Sequence, residues 1–437
     1  MMDIFDARES AVRSYCRMWP TVFGRAAGSW LYDEQGHGYL DFFTGAGALN
    51  YGHNNPLLKG ALLRYLADDG VIHSLDMHTV AKREFLTVFD ELILRPRQLD
   101  YRVQFPGPGG ANAVEAALKL ARKVTGRTEV ITFTNSFHGM TLGALAVTGN
   151  AFHRAGAGLP LSHATPVPFG TSLDPDGQIP DFQWLERLLE DKGSGLDSPA
   201  AAIVETVQGE GGINVASAEW LRRLSDLCRE HGILLILDDV QMGCGRTGPF
   251  FSFEPAGITP DIVCLSKSIS GYGLPLALTL IRRDLDIWAP GEHNGTFRGV
   301  NPALVTGTAA LRAYWSDDRL ERATLAKGER IMAAVTATAD SVPGPPIPVR
   351  GRGMACGLAF ADGDLAGKVS AAAFEAGLLA ETAGPRGQVV KLLPPLTISD
   401  AELDEGLSVL DGAVRAVCRH PDWEPSGVSP GTRIPAS

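Results

Sequence analysis

The 437-residue sequence has no cluster of lysines and arginines, no Cys-x-x-Cys pair and no apolar run approaching the thickness of a bilayer. Each absence excludes something. The 39 Lys+Arg are outnumbered by 50 Asp+Glu, and a net charge of −11 without a basic cluster leaves nucleic acid no electrostatic footprint. The six cysteines (Cys16, Cys228, Cys244, Cys264, Cys356, Cys418) stand apart from histidine at any metal-like spacing. They read as scattered reduced thiols of a cytoplasmic protein, and no metal is expected. Apolar runs such as 233–237 fall far short of a membrane span, and the mixed-charge start MMDIFDARESAVRSYCRMWP lacks the apolar core of a signal peptide. The expectation is a cytoplasmic protein with small-molecule partners, neither membrane-bound nor nucleic-acid-bound.

What is present points to an α/β protein. A 45% hydrophobic and 20% charged composition is globular, and the length exceeds one ordinary core. Fifty glycines and 28 prolines without a period imply many tight loops. Strand-like segments at 101–105, 130–133, 201–206, 233–237 and 262–265 alternate with helix-like ones at 111–124, 141–146 and 218–231. Uninterrupted apolar strands of this kind are buried on both faces of a largely parallel sheet, whose ligands gather at the carboxyl ends of the strands. After about Asn301 come two long helical stretches, the Pro-rich 343–348, strands near 354–360 and 389–393, and helices near 365–376 and from Asp400. The expected organisation is a large domain at 56–300 and a smaller α+β domain at 301–420. Residues 1–55 complete the smaller domain through a hairpin of 29–32 with 38–42, and 421–437 form a flexible tail.

Three segments carry chemistry. PGPGGANAVEAALKLAR places Gly107, Gly109 and Gly110 before a helix, which makes either an anion cradle at the helix N-terminus or an ordinary glycine turn. ILLILDDVQMGCGRTG sets Asp238 and Asp239 at the end of an apolar strand. There an ionised carboxylate needs a cationic partner, unless it merely caps a helix or lies in a loop. DIVCLSKSISGYGLPLA sets Lys267 just past another apolar strand among small residues. It is an imine-forming amine if buried there and a surface charge otherwise. An anion cradle, a strand-end carboxylate and a strand-end lysine together are what pyridoxal 5′-phosphate (PLP) requires.

The motifs FHG, VQGEGG, LDDVQMGCGRTG, LSKSISG and GTFRGVNP occur in this order. Through them the chain resembles the class III (ω-)aminotransferases of the fold type I PLP-dependent enzymes, from about residue 20 to the end of the C-terminal lobe. The resemblance implies a large mixed seven-stranded sheet with helices on both faces plus a smaller α+β domain. It implies that Lys267 is the cofactor-linking lysine and moves the proton, and that Asp238 keeps the pyridine nitrogen protonated. Val240 and Phe137 (with His138 in the same FHG motif) would hold the ring faces, Gln241 would bond its phenolic oxygen, and Gly110 and Ala111 would cradle the phosphate. Thr296 would reach the phosphate of a neighbouring subunit, which makes the active unit a homodimer or a dimer of dimers with shared sites. Lys391, in VVKLLPPLT, stands where many relatives carry a carboxylate-binding arginine. Glu210 resembles the gate glutamate that pairs with that cation and releases it for a dicarboxylate. Gly109 replaces a usual Ser or Thr, which predicts weaker phosphate binding. Asp239 replaces a usual Glu, and the shorter side chain is expected to keep its charge. The stretches FDARESAVRSYCR, QMGCGRTGPFFSFEPAGI and LDIWAPGEHNGTFRG resemble most the ectoine-pathway branch, which moves an amino group between glutamate/2-oxoglutarate and the terminal carbon of aspartate 4-semialdehyde. Other branches acting on ornithine, 4-aminobutyrate or a specialised-metabolite amine are the alternative.

Overall fold

The computed structural model describes residues 4–170 and 182–419. The chain opens with an antiparallel meander of β1 (Phe23–Ala27), β2 (Trp30–Asp33) and β3 (Gly38–Asp41). It then forms β4 (Tyr101–Gln104), β5 (Val130–Phe133), β6 (Ala164–Val167) and β7 (Ala201–Val204), followed by a two-stranded ribbon of β8 (Val207–Gln208) and β9 (Asn214–Val215). Next come β10 (Leu234–Asp238), β11 (Ile262–Leu265) and β12 (Leu278–Arg282). The C-terminal part adds β13 (Val349–Arg352), β14 (Ala355–Ala359), β15 (Leu378–Leu379), β16 (Glu381–Ala383) and β17 (Val389–Leu392).

Seven strands make the main sheet in the order β4-β12-β11-β10-β7-β5-β6, parallel except that β12 runs against both of its neighbours. Every residue of β5, β7, β10 and β11 is buried, as uninterrupted apolar strands between two layers of helix must be. The alternation of segments made this sheet legible, but β6 and β12 escaped it. β6 (ATPV) is short, half-exposed and interrupted by Pro166, while β12 is the far end of an apolar stretch that Pro275 interrupts.

The helix Ala218–Glu230 shows how the layers are fixed. Ser217 caps it by accepting a hydrogen bond from the Trp220 backbone N–H at 3.1 Å, a contact of a kind worth about 1 kcal/mol. Trp220, Leu221, Leu224, Leu227 and Cys228 are buried at helical spacing. Trp220 meets Phe133 of β5, Phe169 and Phe182 with ring centroids 5.1–5.2 Å apart, which ties the helix to the sheet.

The chain ends meet. β15 pairs in parallel with β3, and Glu402 on the helix Asp400–Arg419 accepts hydrogen bonds from Trp30 Nε1 at 2.9 Å and Ser29 Oγ at 3.4 Å. β13-β14-β17-β16 form a separate antiparallel sheet under the helices Arg319–Asp340 and Gly363–Glu375. The tail expected at 421–437 lies outside the described residues. Among the described residues no helix is long and apolar enough to cross a membrane.

Candidate active site

The carboxyl ends of β5, β7, β10 and β11 face one cavity of about 170 Å³. Parallel strands make this convergence automatic, because each strand delivers its next loop residue to the same edge. Phe137 and His138 follow β5, Glu205 follows β7, Asp238 ends β10 and Lys267 follows β11, and all line the cavity with Gly110, Ala111, Glu210, Val240 and Gln241.

Asp238 is buried, and both of its oxygens are engaged. Oδ2 lies 2.7 Å from His138 Nδ1, and Oδ1 accepts from the Val240 backbone N–H at 3.1 Å. A carboxylate facing Nδ1 fixes the tautomer with that nitrogen protonated, while His138 Nε2 is buried without a partner. The imidazole therefore orients Asp238 toward the cavity.

Lys267 has φ 53°, the left-handed region that a non-glycine residue enters only under constraint, a strain on the order of 1–3 kcal/mol. The strained turn points Nζ back across the cavity to the Ala46 carbonyl at 2.7 Å. Burial pushes its ammonium below the ordinary lysine range, although Glu210 pulls the other way. The amine thereby gains neutral, nucleophilic character.

The glycine turn is built for close approach at Gly107, where a Cβ would meet Asn112 Cγ at 2.7 Å, and at Gly110, but not at Gly109. A Cβ on Gly110 would sit 2.8 Å from Val240 Cγ1, whereas one on Gly109 would meet only Asn112 Oδ1 at 3.5 Å. The Gly109 backbone N–H is already taken by Asn112 Oδ1 at 3.0 Å, a capping bond at the start of the helix Gly110–Thr125. The N–H groups of Gly110 and Ala111 follow, and a helix start leaves such groups without intrahelical acceptors. Asn112 thus caps the helix start as an acceptor and does not replace the hydroxyl donor that Ser or Thr would offer the phosphate.

Phe137 presents its ring edge-on to His153 at 5.7 Å, and its backbone N–H donates to Glu205 Oε2 at 3.0 Å. Gln241 Nε2 donates to the Ala46 carbonyl and to Glu210 Oε1, both at 3.0 Å. Glu210 Oε1 also accepts from Lys391 Nζ at 2.6 Å. Burial alone would raise Glu210, but Lys391 and then Lys267 overcome it and hold the carboxyl down to about 2. Lys391 is fully buried behind Glu210 rather than on the cavity wall, and Glu381 Oε1 lies 3.0 Å from its other side. Thr296 is in an exposed loop outside its own chain's cavity, where its carbonyl meets His73 Nε2 at 2.7 Å.

Asp239 departs from expectation. Its side chain points away from the cavity, Oδ2 accepts from the Ser252 backbone N–H at 2.9 Å, and Oδ1 is buried without a partner. Burial pushes its carboxyl up to about 7 against the pull of Ser252 and Arg352. The charge expected of it is therefore only partly held at neutral pH.

Sequence reasoning missed Glu205, Glu381 and the Ala46 carbonyl. Glu205 was findable, since AAIVE ends an apolar strand on a carboxylate just as LLILD does. Burial and the neighbouring Asp238 push its carboxyl well above the ordinary range. Nothing local marks Ala46, which reaches the site from 221 residues away.

These groups fit PLP. A buried carboxylate needs a protonated ring nitrogen, an amine stands in the same cavity, and the Gly110 turn brings a helix start against Val240. Comparison with known proteins agrees. The family model for aminotransferase class-III matches residues 12–414. The chain is 64% identical over 415 residues to a diaminobutyrate–2-oxoglutarate transaminase of Streptomyces avermitilis, covering 95% of this chain and 98% of that one. A protein of the same name from Halalkalibacterium halodurans is 56% identical over 416 residues, 95% of this chain and 97% of its own. Among solved structures, the ornithine aminotransferase of Toxoplasma gondii superposes with a TM-score of 0.82 at 26% identity, covering 96% of this chain and 94% of that chain. An amine transaminase from an uncultivated Pseudomonas species in PLP-bound form gives 0.81 at 28% identity, over 94% and 98%.

Proposed function

From the premise that the chain belongs to the class-III aminotransferase family, we propose that it moves an amino group between glutamate/2-oxoglutarate and the terminal carbon of aspartate 4-semialdehyde/L-2,4-diaminobutyrate. It is a PLP-dependent enzyme of fold type I. The observation that carries the substrate reading is the 52–64% identity, along nearly the whole chain, to relatives named diaminobutyrate–2-oxoglutarate transaminase.

PLP, when bound, supplies an electrophilic carbonyl and a ring that accepts electron density from the substrate carbon. Asp238, fixed by His138, holds a proton on the ring nitrogen, since a buried anion makes that proton costly to lose. Lys267 would hold the cofactor through its amine and, when released, would carry the proton between the amine-bearing substrate carbon and the cofactor. The N–H groups of Gly110 and Ala111 receive the phosphate, and Val240 and Phe137 confine the ring. Glu210 and Lys391 form the gate at the distal end. With the pair closed at 2.6 Å, the wall is neutralised for a monocarboxylate diamine, and the dicarboxylate requires it open. By the family motif, Thr296 would complete the partner's phosphate site in a dimer, and its exposure leaves it accessible to a second chain.

The test is a panel of amines offered with 2-oxoglutarate to the PLP-loaded protein, measuring glutamate formed. Diaminobutyrate must give the highest kcat/KM. A second reading, in which ornithine or a related ω-amine is the substrate, draws on the likeness to the T. gondii enzyme. Preference for ornithine or 4-aminobutyrate in the same panel would establish it.

A further inference from the structure

Lys391 is a fully buried cation between two carboxylates. Nζ is 2.6 Å from Glu210 Oε1 and 3.0 Å from Glu381 Oε1, on opposite elements. Glu210 lies in the loop between β8 and β9, while Glu381 opens β16, directly paired in register with Lys391 on β17. The two partners are unequal. Lys391 donates an aligned hydrogen bond to Glu210, but its contact with Glu381 lacks that alignment, and Glu381 Oε1 has no other partner. Of two carboxylates that share one lysine, the less well aligned is the one more readily protonated.

We propose that Glu381 is a specificity-determining member of this gate: Lys391 receives a carboxylate of the dicarboxylate substrate only while Glu381 carries a proton. The inference rests on the transaminase reading and on the gate described above. When Glu210 swings away, an incoming carboxylate takes its place beside Lys391, again with Glu381 as a second acid. With the substrate filling the cavity and excluding the water that otherwise lets both acids ionise, one lysine neutralises only one of them, so Glu381 must be uncharged. The space exists. A second cavity of about 130 Å³ shares Phe137 and Glu210 with the cofactor cavity and is bordered by Thr382 and Ala383, the residues that follow Glu381. Glu210 and Phe137 line both.

The charges facing Glu381 agree with this assignment. Burial raises its carboxyl to about 7, Lys391 and the more distant Lys267 lower it, and Glu210 raises it further. Tyr15, on the short helix Tyr15–Met18, also faces it, and burial followed by Glu381 pushes that phenol up. The helix Gly363–Glu375, packed against β16, buries Ala366, Val369, Ser370, Ala372 and Ala373, with no charge among them. Glu210 remains ionised through the neutral range, and Glu381 is the member of the trio that titrates there.

The experiment compares PLP-loaded wild type, Glu381→Gln and Glu381→Asp. The ratio of kcat/KM for glutamate to that for diaminobutyrate is followed from pH 6 to 8.5 by the absorbance change of each half-reaction. In wild type the ratio should fall above pH 7, approaching tenfold per pH unit. Glu381→Gln should flatten it and exceed wild type at pH 8.5, while Glu381→Asp keeps a falling limb. In parallel, wild type binding the unreactive dicarboxylate glutarate near pH 8 should take up a proton, seen with an indicator dye, and this arm needs no variant. A flat wild-type ratio, an unchanged limb in Glu381→Gln or absence of proton uptake overturns the proposal. If glutamate leaves the absorbance of the wild type unchanged, the transaminase reading itself falls.

Discussion

Replacing Gly110 with alanine tests the geometry of the cofactor turn by adding one methyl group. The new Cβ would stand 2.8 Å from Val240 Cγ1 and 3.3 Å from Cγ2, where ordinary contacts lie at 3.4–4 Å. Val240 cannot turn away freely, because a β-branched side chain is stiff at χ1. Nor can its backbone retreat without cost, since its N–H is bonded to Asp238 Oδ1 at 3.1 Å. Overpacking of this kind costs about 1–3 kcal/mol. If the strain is relieved by moving the helix start or Val240 into the cavity, cofactor affinity falls by roughly 5- to 150-fold. The neighbouring position gives the opposite result. Gly109 has φ −120° and ψ 162°, an extended conformation open to any residue, and its Cβ meets nothing closer than 3.5 Å. Gly109→Ser should stabilise the apoprotein by about 0.4–1 kcal/mol by restricting the unfolded chain, and bind PLP at least as tightly. The assay is a PLP titration of the apoproteins by absorbance, alongside urea denaturation. The Gly110→Ala, Val240→Ala double variant should bind PLP as tightly as Val240→Ala alone. Wild-type affinity in Gly110→Ala, or a double variant that binds more weakly than Val240→Ala, refutes the steric argument.

Lys267→Ala should abolish glutamate formation from diaminobutyrate and 2-oxoglutarate, and residual turnover at even a hundredth of wild type would remove Lys267 from its role. Asp238→Asn should lower kcat by orders of magnitude with little change in stability, as measured by steady-state kinetics and thermal unfolding. Arg246 is fully buried, with hydrogen bonds to the carbonyls of Met354 at 3.2 Å and Pro394 at 2.6 Å and to Asn50 Oδ1 at 2.6 Å. Arg246→Ala strands those acceptors and should cost about 3–5 kcal/mol in urea unfolding. Asp239 is raised in the fold to about 7 from an ordinary 3.8. The folded state therefore binds that proton more tightly, and stability is lost as pH rises between those values, by at most about 1.4 kcal/mol per pH unit. Asp239→Asn should flatten that loss, so its melting temperature should exceed that of wild type at pH 8 by more than at pH 4.

The main sheet was legible because fully apolar strands and amphipathic helices write their burial into a few neighbouring residues. Asp238 and Lys267 were legible for a related reason: a charge at the end of an apolar strand is conspicuous where burial would be costly. Val240, Gln241, Phe137 and the Gly110 turn drew their meaning from family motifs rather than from physical pattern alone. Glu381 remained hidden because ETAG reads as an ordinary exposed turn until pairing of β16 with β17 sets it beside Lys391. Asp239 was misjudged for the same reason, since its environment is made by Ser252 and Arg352, far along the chain.

The Ala46 carbonyl, which holds both Lys267 and Gln241, belongs to a segment that is itself pinned by the C-terminal part of the chain. Leu393 N–H donates to the Phe42 carbonyl at 2.7 Å, and Thr44 Oγ1 donates to the Leu393 carbonyl at 2.8 Å. During synthesis, the first fifty residues leave the ribosome long before residue 393 exists to hold them. The segment is held from the sheet side as well, through Ser268 Oγ to the Gly47 carbonyl at 2.8 Å, so its C-terminal fixings close only once β17 has been translated, and closing so long a loop is slow. A chain stopped before β17 should therefore bury its central sheet yet hold the Ala46 carbonyl, and with it Lys267, less firmly.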